Sequence, residues 1–293
     1  MSAVPAAVDA LAQTEVGRGL SFPARFARNR LGVVGVAILL ALGVAGAVGP
    51  LVLGSPRAQN VPDREQGPSL EYPFGTDEVG RDILTRVVNG ARISISAAVA
   101  AVAVGLGGGT LLGLVAGYLG GRVELAIMAA MDLMLALPAI LLAITIAARL
   151  GPGLTSAMLA AGLVGLPNFA RLARGSTLAM KRREFVEAAR ASGAGQTRIM
   201  LRHVLPNILT PLIIQATIGV GNAILLVSAL GFLGLGAQPP TAEWGRMLSD
   251  AQGFILDATY IGIFPGLAIA LTVVGFNLAG DGLQDALSPS GRR

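Results

Sequence analysis

The 293-residue chain is 53% hydrophobic and only 13% charged, with a mean hydropathy of +0.68 and a formal net charge of +5. Soluble domains carry about twice that charged fraction, so the composition is that of a membrane protein. There is no cysteine and one histidine, His203, which excludes disulfides, thiolate metal sites and any multi-histidine site within one chain; the basic surplus is a topology signal, not a nucleic-acid footprint.

Residues 1–30 form an N-terminal segment that ends in "SFPARFARNR", where Phe22 and Phe26 stand one helical turn apart beside Arg25 and Arg28. That pattern fits a short helix on the inner membrane surface, or equally a solvated tail. Residues 31–53 are uncharged and long enough to cross a bilayer, which takes roughly 20 apolar residues. Their length favours an uncleaved anchor over a signal peptide.

Residues 54–92 are expected outside the membrane. Within "YPFGTDEVGRDILTRVVNGAR", Thr76 or Asp77 is placed to cap a helix and Asp77 and Glu78 suit its positive end. Ile83, Leu84, Val87 and Val88 would form an apolar face. Arg81, Asp82, Thr85, Arg86 and Asn89 would form a polar one, with Asp82 and Arg86 paired at i,i+4. The plain reading is an amphipathic helix at the outer interface; the sharper one is a contact surface for an extracytoplasmic partner.

Five more spans follow, at 93–121, 125–148, 150–170, 204–242 and 258–280. The first carries Gly105, Gly109, Gly113 and Gly117, which make one smooth helical stripe for close approach of another helix. The next contains a single charge, Asp132. In the fifth span Pro206 and Pro211 should bend or start the helix and Pro239-Pro240 should end it, and Pro265 should kink the sixth. Gln215 and Asn222, two turns apart in the fifth span, must face other helices or a polar path, because unpaired amides are costly in hydrocarbon. Residues 237–257 lie outside, with Trp244 suited to a membrane interface. Asp132 and Asp281 lack the context of an intramembrane aspartyl protease and lie near span ends, where a carboxylate reaches water or a cation.

With the N-terminus inside, 15 of the 22 Lys and Arg residues fall in inside segments. The expected topology is an all-α, polytopic membrane protein with six transmembrane helices and both termini cytoplasmic. The largest cluster of charge runs from Arg171 to His203, where eight basic and two acidic side chains amount to +6. Here "EFVEAARA" is strong helix material, acidic first and basic last. Ser192-Gly193-Ala194-Gly195 interrupts it and "QTRIMLRHV" restarts a helix. A basic loop that fixes topology explains the arginines but not the short helix stopped by glycines, which is a shape that fits a groove on a partner. The phosphate-cradling G-x-x-x-x-G-K-[ST] pattern does not occur, and the only lysine, Lys181, lacks its glycines.

This stretch resembles the cytoplasmic EAA loop of ATP-binding-cassette (ABC) importer permeases, through Glu187, Ala188, Ala189, Gly193 and Leu205-Pro206. "FGTDEVGRDILTRVVNGARIS", "GFLGLGAQPPTAEWGRMLSD" and "FPGLAIALTVVGFNLAGDGLQDAL" are similar to the dipeptide/oligopeptide (nickel) branch, in the same order. The resemblance covers nearly all of the chain after about residue 22, with minor departures such as Thr85 where Ser is common. It is to the second of two homologous permeases.

The resemblance implies a type I importer permease fold with a permease core at 93–287, an EAA loop at 171–207 and a tail at 288–293. It also implies a bacterial cytoplasmic (inner) membrane location. The implied partners are a homologous second permease, two cytoplasmic ATPases that hold ATP and Mg in place of any cofactor in this chain, an extracytoplasmic substrate-binding protein and membrane lipid, with no nucleic acid. The chain itself would catalyse nothing. Glu187, Ala188, Ala189, Ser192 and Gly193 would form the coupling helix that the ATPases move, and Asp77, Arg81, Asp82 and Trp244 would contact the binding protein. The cargo would be di- or oligopeptides, with nickel or glutathione as alternatives. A self-powered secondary transporter fits less well, since only Asp132 is ionisable within a span.

Overall fold

The computed structural model describes residues 22–287; the expectations for residues 1–21 and for the tail at 288–293 lie outside the described residues. Among the described residues the fold is helical, with a single isolated bridge between Thr76 and Asp82 as its only extended pairing. In chain order the helices are α1 (Phe22–Arg28), α2 (Arg30–Val52), α3 (Ile83–Leu119), α4 (Gly121–Leu135), α5 (Ala139–Leu150), α6 (Leu154–Lys181), α7 (Glu184–Ala191), α8 (Gln196–Ile199), α9 (Leu205–Phe232), α10 (Trp244–Asp250) and α11 (Tyr260–Leu287). A π-helical turn, Met200–Val204, joins α8 to α9. Pro206 lacks the N–H that would bond back to Arg202, so a widened turn falls where the ladder is interrupted.

Five helices are long and apolar enough to cross a membrane: Arg30–Val52, Ile83–Leu119, Leu154–Lys181, Gln196–Phe232 and Tyr260–Leu287. The bent pair α4 and α5 makes a sixth crossing if it counts as one span. The continuous span expected at 125–148 is therefore corrected. The two halves meet at 97° around Leu137-Pro138. Pro138 sits with ψ 129, outside the helical region, and its ring disfavours a helical conformation at Leu137.

α3 begins at Ile83, ten residues before the expected span, because the amphipathic stretch and the span are one continuous helix. Its cap is Asp82, whose carboxylate accepts from the N–H groups of Leu84 and Thr85 at 3.2 and 3.0 Å; neither Thr76 nor Asp77 caps it. The helix cannot start earlier because the chain turns at Gly80, with φ +75 and the Asn60 backbone packed where a side chain would sit.

The bundle is assembled by backbone-close packing. Gly105, Gly109 and Gly117 of α3 each meet α6, where an added Cβ would lie 2.9 Å from Gly162 O, 2.6 Å from Leu166 O and 2.8 Å from Arg174 O; Gly113 meets Ala170 and Ala173 in the same way. Gly162 returns the fit against Ala101 O at 2.7 Å. Lipid tails are as apolar as leucine, so such close approach, and not exclusion of water, holds two membrane helices together. α2 lies on α11 by the same device: a Cβ at Gly32 would be 2.8 Å from Gly282 Cα, and one at Gly35 would be 2.7 Å from Gly275 O. α9 packs on α3, α6 and α11.

Asn29 accepts from Gly32 N and donates to Asp285 at 2.6 Å, which brings the start of α2 to the end of α11. At the same end Lys181 donates to Tyr118 O at 2.5 Å, pinning the end of α6 to the end of α3. The described termini and α7 thus share one end of the bundle, the basic end. The 54–82 segment and α10 share the other, the far end.

Candidate functional site

At the basic end, α7 is held by one side. Val186 is buried and Ala189 packs against the core, while Phe185, Glu187, Ala188 and Arg190 are exposed. The helix ends in two bonds, Gly193 N–H to Arg190 O at 3.0 Å and Ala194 N–H to Ala189 O at 3.1 Å. Together with φ +80 at Gly193 they form a Schellman motif, in which glycine takes the left-handed position without Cβ strain. Ser192 Oγ donates to Ala188 O at 2.9 Å. A Cβ at Gly193 would meet nothing within 4 Å, so the glycine is there for its conformation and not for room. Beside the turn a basic hollow is lined by Ser192, Gly193, Arg198, Arg202 and His203. The nearby ion pairs, Arg171–Asp132 at 2.7 Å and Arg174–Glu124, lie on the helix stems, so Asp132 has its cation and Glu187 stays exposed. Glu187, Ala188, Ala189, Ser192 and Gly193 therefore sit on one presented helix-and-turn unit.

The far end is a buried charged cap. Arg81 Nε donates to Asp77 Oδ2 at 2.5 Å and Arg81 Nη2 to Glu78 Oε1 at 2.7 Å. Arg86 Nε lies 3.4 Å from Asp77 Oδ2 and Arg86 Nη2 lies 3.9 Å from Asp250 Oδ2, while Arg246 pairs with Asp250 at 2.7 Å. Three arginines thus balance three carboxylates and tie the loop before α3 to α10. Burial, with Asp77 beside it, holds the Glu78 carboxyl above its ordinary range. Phe74 stacks on Phe264 with ring centres 3.9 Å apart, fastening the same loop to α11.

Next to it, Glu243 is fully buried and caps α10. It accepts from Gly245 N–H at 2.9 Å and Arg246 N–H at 2.8 Å, and Ser94 Oγ donates to it at 3.3 Å. Burial pushes its carboxyl up, against the pull of those three donors.

These positions correct the expected partner surface. Asp77 is 3% exposed, Arg81 6% and Trp244 0%. Asp82 is the cap of α3, and its expected pair with Arg86 is not formed because Arg86 turns to Asp77 and Asp250. Trp244 is no membrane-interface anchor but a core side chain. These residues bond to one another because a charged loop laid over helix ends must satisfy its polar groups internally. In the sequence Glu243 reads only as one of the acids of the outside 237–257 segment, although an acid before "WGRMLSD" is the pattern of a helix cap, and Ser94 carries no local signal.

Gln215 and Asn222, on one face of α9, open on a cavity of about 490 Å³ between α3, α5, α6 and α9.

A bundle of membrane-length helices with a cavity among them and one small helix presented at the basic end is the architecture of a polytopic membrane protein. More narrowly, the chain belongs to the family of binding-protein-dependent transport system inner membrane components, which matches residues 109–293. It is similar to the dipeptide transport system permease protein DppC of Alkalihalophilus pseudofirmus, 49% identical over 89% of this chain and 86% of that one. It is also similar to a probable D,D-dipeptide transport system permease protein, DdpC, of Escherichia coli K12, at 46% over 82% and 80% of the two chains. The glutathione transport system permease protein GsiD of Escherichia coli O6:H1 is 46% identical over 76% and 74%. In fold it is similar to an inward-facing structure of the MetNI methionine ABC transporter, with a TM-score of 0.55 at 20% identity over 69% of this chain and 96% of that one.

Proposed function

We propose that this chain is a permease subunit of an ABC importer that carries di- and oligopeptides across the cytoplasmic membrane by alternating access, driven by ATPase subunits in trans. The observation that carries the reading is α7, a helix seated on Val186 and stopped at Gly193, with its other faces free at the end of a bundle that has no phosphate-binding loop. Such a helix transmits rigid-body motion from a separate motor to packed helices. The excess of Arg and Lys at that end supports reading it as the cytoplasmic one, with both termini inside. ATP and Mg then belong to two cytoplasmic ATPases. A homologous second permease completes the path, and a binding protein delivers cargo to the far end, whose buried cap fixes the shape it meets. The relatives named for dipeptide transport support peptide as cargo.

Glutathione, itself a small peptide, is the second reading, favoured by relatives named for its transport. The test is to purify the complex from native membranes, reconstitute it in proteoliposomes with its binding protein, and compare ATP-dependent uptake of dipeptide, glutathione and nickel. Co-purified ATPases and dipeptide uptake are expected. A lone chain driven by a proton gradient overturns the importer reading, and uptake of glutathione or nickel alone overturns peptide as cargo.

A further inference from the structure

The cavity midway along the bundle has walls of Ala, Val, Gly, Leu, Ile and Phe, interrupted by three carboxamides: Asn168 on α6, and Gln215 and Asn222 on α9. Asn168 and Asn222 are exposed and Gln215 is half-buried. None of the three has a hydrogen-bond partner among the described residues. Asn207 and Thr217 on the same helix, by contrast, satisfy themselves on the His203 and Ile213 carbonyl oxygens at 2.7 and 3.0 Å. Amides left open at membrane depth are costly, and three on one wall call for a polar occupant. A second observation agrees. Gly165 also lines the cavity, and a Cβ there would meet nothing within 4 Å. Helix packing within this chain therefore leaves open space beside that glycine.

We propose that this cavity is a stage on the translocation path, where Asn168, Gln215 and Asn222 hold the main chain of a transported di- or tripeptide. The inference rests on the peptide-import reading above. A carboxamide carries a donor and an acceptor side by side, the complement of a peptide N–H and C=O. Gln215 and Asn222 are seven residues apart, roughly 10 Å along a helix, which matches about three residues of extended chain. The wall has no charge, so neither end of the peptide is trapped. The rest of the wall, Val102, Ile140, Val164 and Leu226 among it, makes no polar demand on the cargo's side chains. Contacts of this kind are favourable enough to admit a peptide and weak enough to release it.

The test uses the whole complex in proteoliposomes. A transported dipeptide with a diazirine side chain, irradiated during ATP-driven turnover, should attach to this chain at residues of the cavity wall, and excess plain dipeptide should reduce the yield several-fold. The double variant Gln215→Leu, Asn222→Leu should lower peptide uptake per ATP hydrolysed about tenfold, and Gln215→Asn with Asn222→Gln should restore most of it. Because the chain has no cysteine, Asn222→Cys can also be labelled singly with a photoactivatable thiol reagent and tested for cross-linking to the second permease. Attachment confined to other helices overturns the proposal. So does wild-type uptake by the leucine variant, or cross-linking of Asn222→Cys to the second permease without loss of uptake, which would make the amides an interface between subunits. A wild-type complex that imports glutathione or nickel but no dipeptide fails the reading of cargo; a wild-type complex that imports dipeptide beside a leucine variant that does so equally fails this inference alone.

Discussion

The indole N–H of Trp244 donates to the carbonyl oxygen of Val87 at 2.8 Å, and its ring lies in the notch left by Gly90 one turn further along α3. An added Cβ at Gly90 would stand 2.7 Å from the ring atoms Cδ1 and Nε1 and 3.1 Å from Ala242 O. The pair clamps α10 onto the start of α3, so the far-end cap depends on a glycine and a tryptophan 154 residues apart. Gly90→Val should therefore destabilise the protein by about 1–3 kcal/mol through overpacking, and Trp244→Ala by about 3–5 kcal/mol through the void it leaves. Thermal unfolding of the detergent-purified protein checks both. Trp244→Phe, which keeps most of the ring and loses the bond, should fall between Trp244→Ala and wild type.

Asp77 neutralises Arg81 and lies 3.4 Å from Arg86, with both guanidinium groups buried. Removing one partner of a buried set leaves the others uncompensated. Asp77→Asn should cost about 3–5 kcal/mol. The charge reversal Asp77→Lys should reduce the amount of folded protein recovered before it affects binding-protein docking. Asp82→Ala, which removes only a helix cap, should cost about 1 kcal/mol. Thermal melts together with a binding-protein pull-down separate these effects: normal yield with lost docking for the Asp77 variants would restore them as a contact surface.

Gly193 holds φ +80 in open space, so a side chain there meets backbone strain and no clash. Gly193→Val should cost about 1–2 kcal/mol locally and misdirect the end of α7. Gly193→Asn, which tolerates the left-handed region, should be nearly silent. Gly193→Val and Glu187→Lys should leave membrane insertion intact and lower binding-protein-stimulated ATP hydrolysis in the reconstituted complex. Wild-type coupled turnover in both variants would remove α7 from the coupling role.

The Glu78 and Glu243 carboxyls are both held above the ordinary glutamate value of 4.5, burial being the larger cause in each. A carboxyl with a raised pKa in the folded state binds its proton more tightly there than when unfolded. Its contribution is complete below 4.5 and is lost as pH rises through the folded value. The melting temperature of the wild type relative to Glu243→Gln should therefore fall as pH is raised from about 4.5 toward neutrality. A difference that stays flat with pH, or rises, would show that burial does not raise the affinity of Glu243 for its proton.

Much of this protein follows from local pattern. Runs of apolar residues set the number of crossings, because a helix satisfies its backbone within itself and needs only length. "EFVEAARASG" declared a short helix with a glycine stop, since caps and left-handed turns act over four or five neighbouring residues. The break at Pro138 was also local, but the hydropathy of the run around it masked it. Tertiary structure decided what the charged residues of the far end do. Arg86 sits between Asp77 and Asp250, Ser94 meets Glu243, and Val87 meets Trp244, pairings that span up to 157 residues. An isolated stretch of chain presents such side chains as a polar face. Only the packing of α3, α10 and the 54–82 segment turns that face inward, because groups removed from water must find partners in one another. The same holds for the cavity amides, whose meaning comes from the wall they share and not from their spacing along α6 and α9.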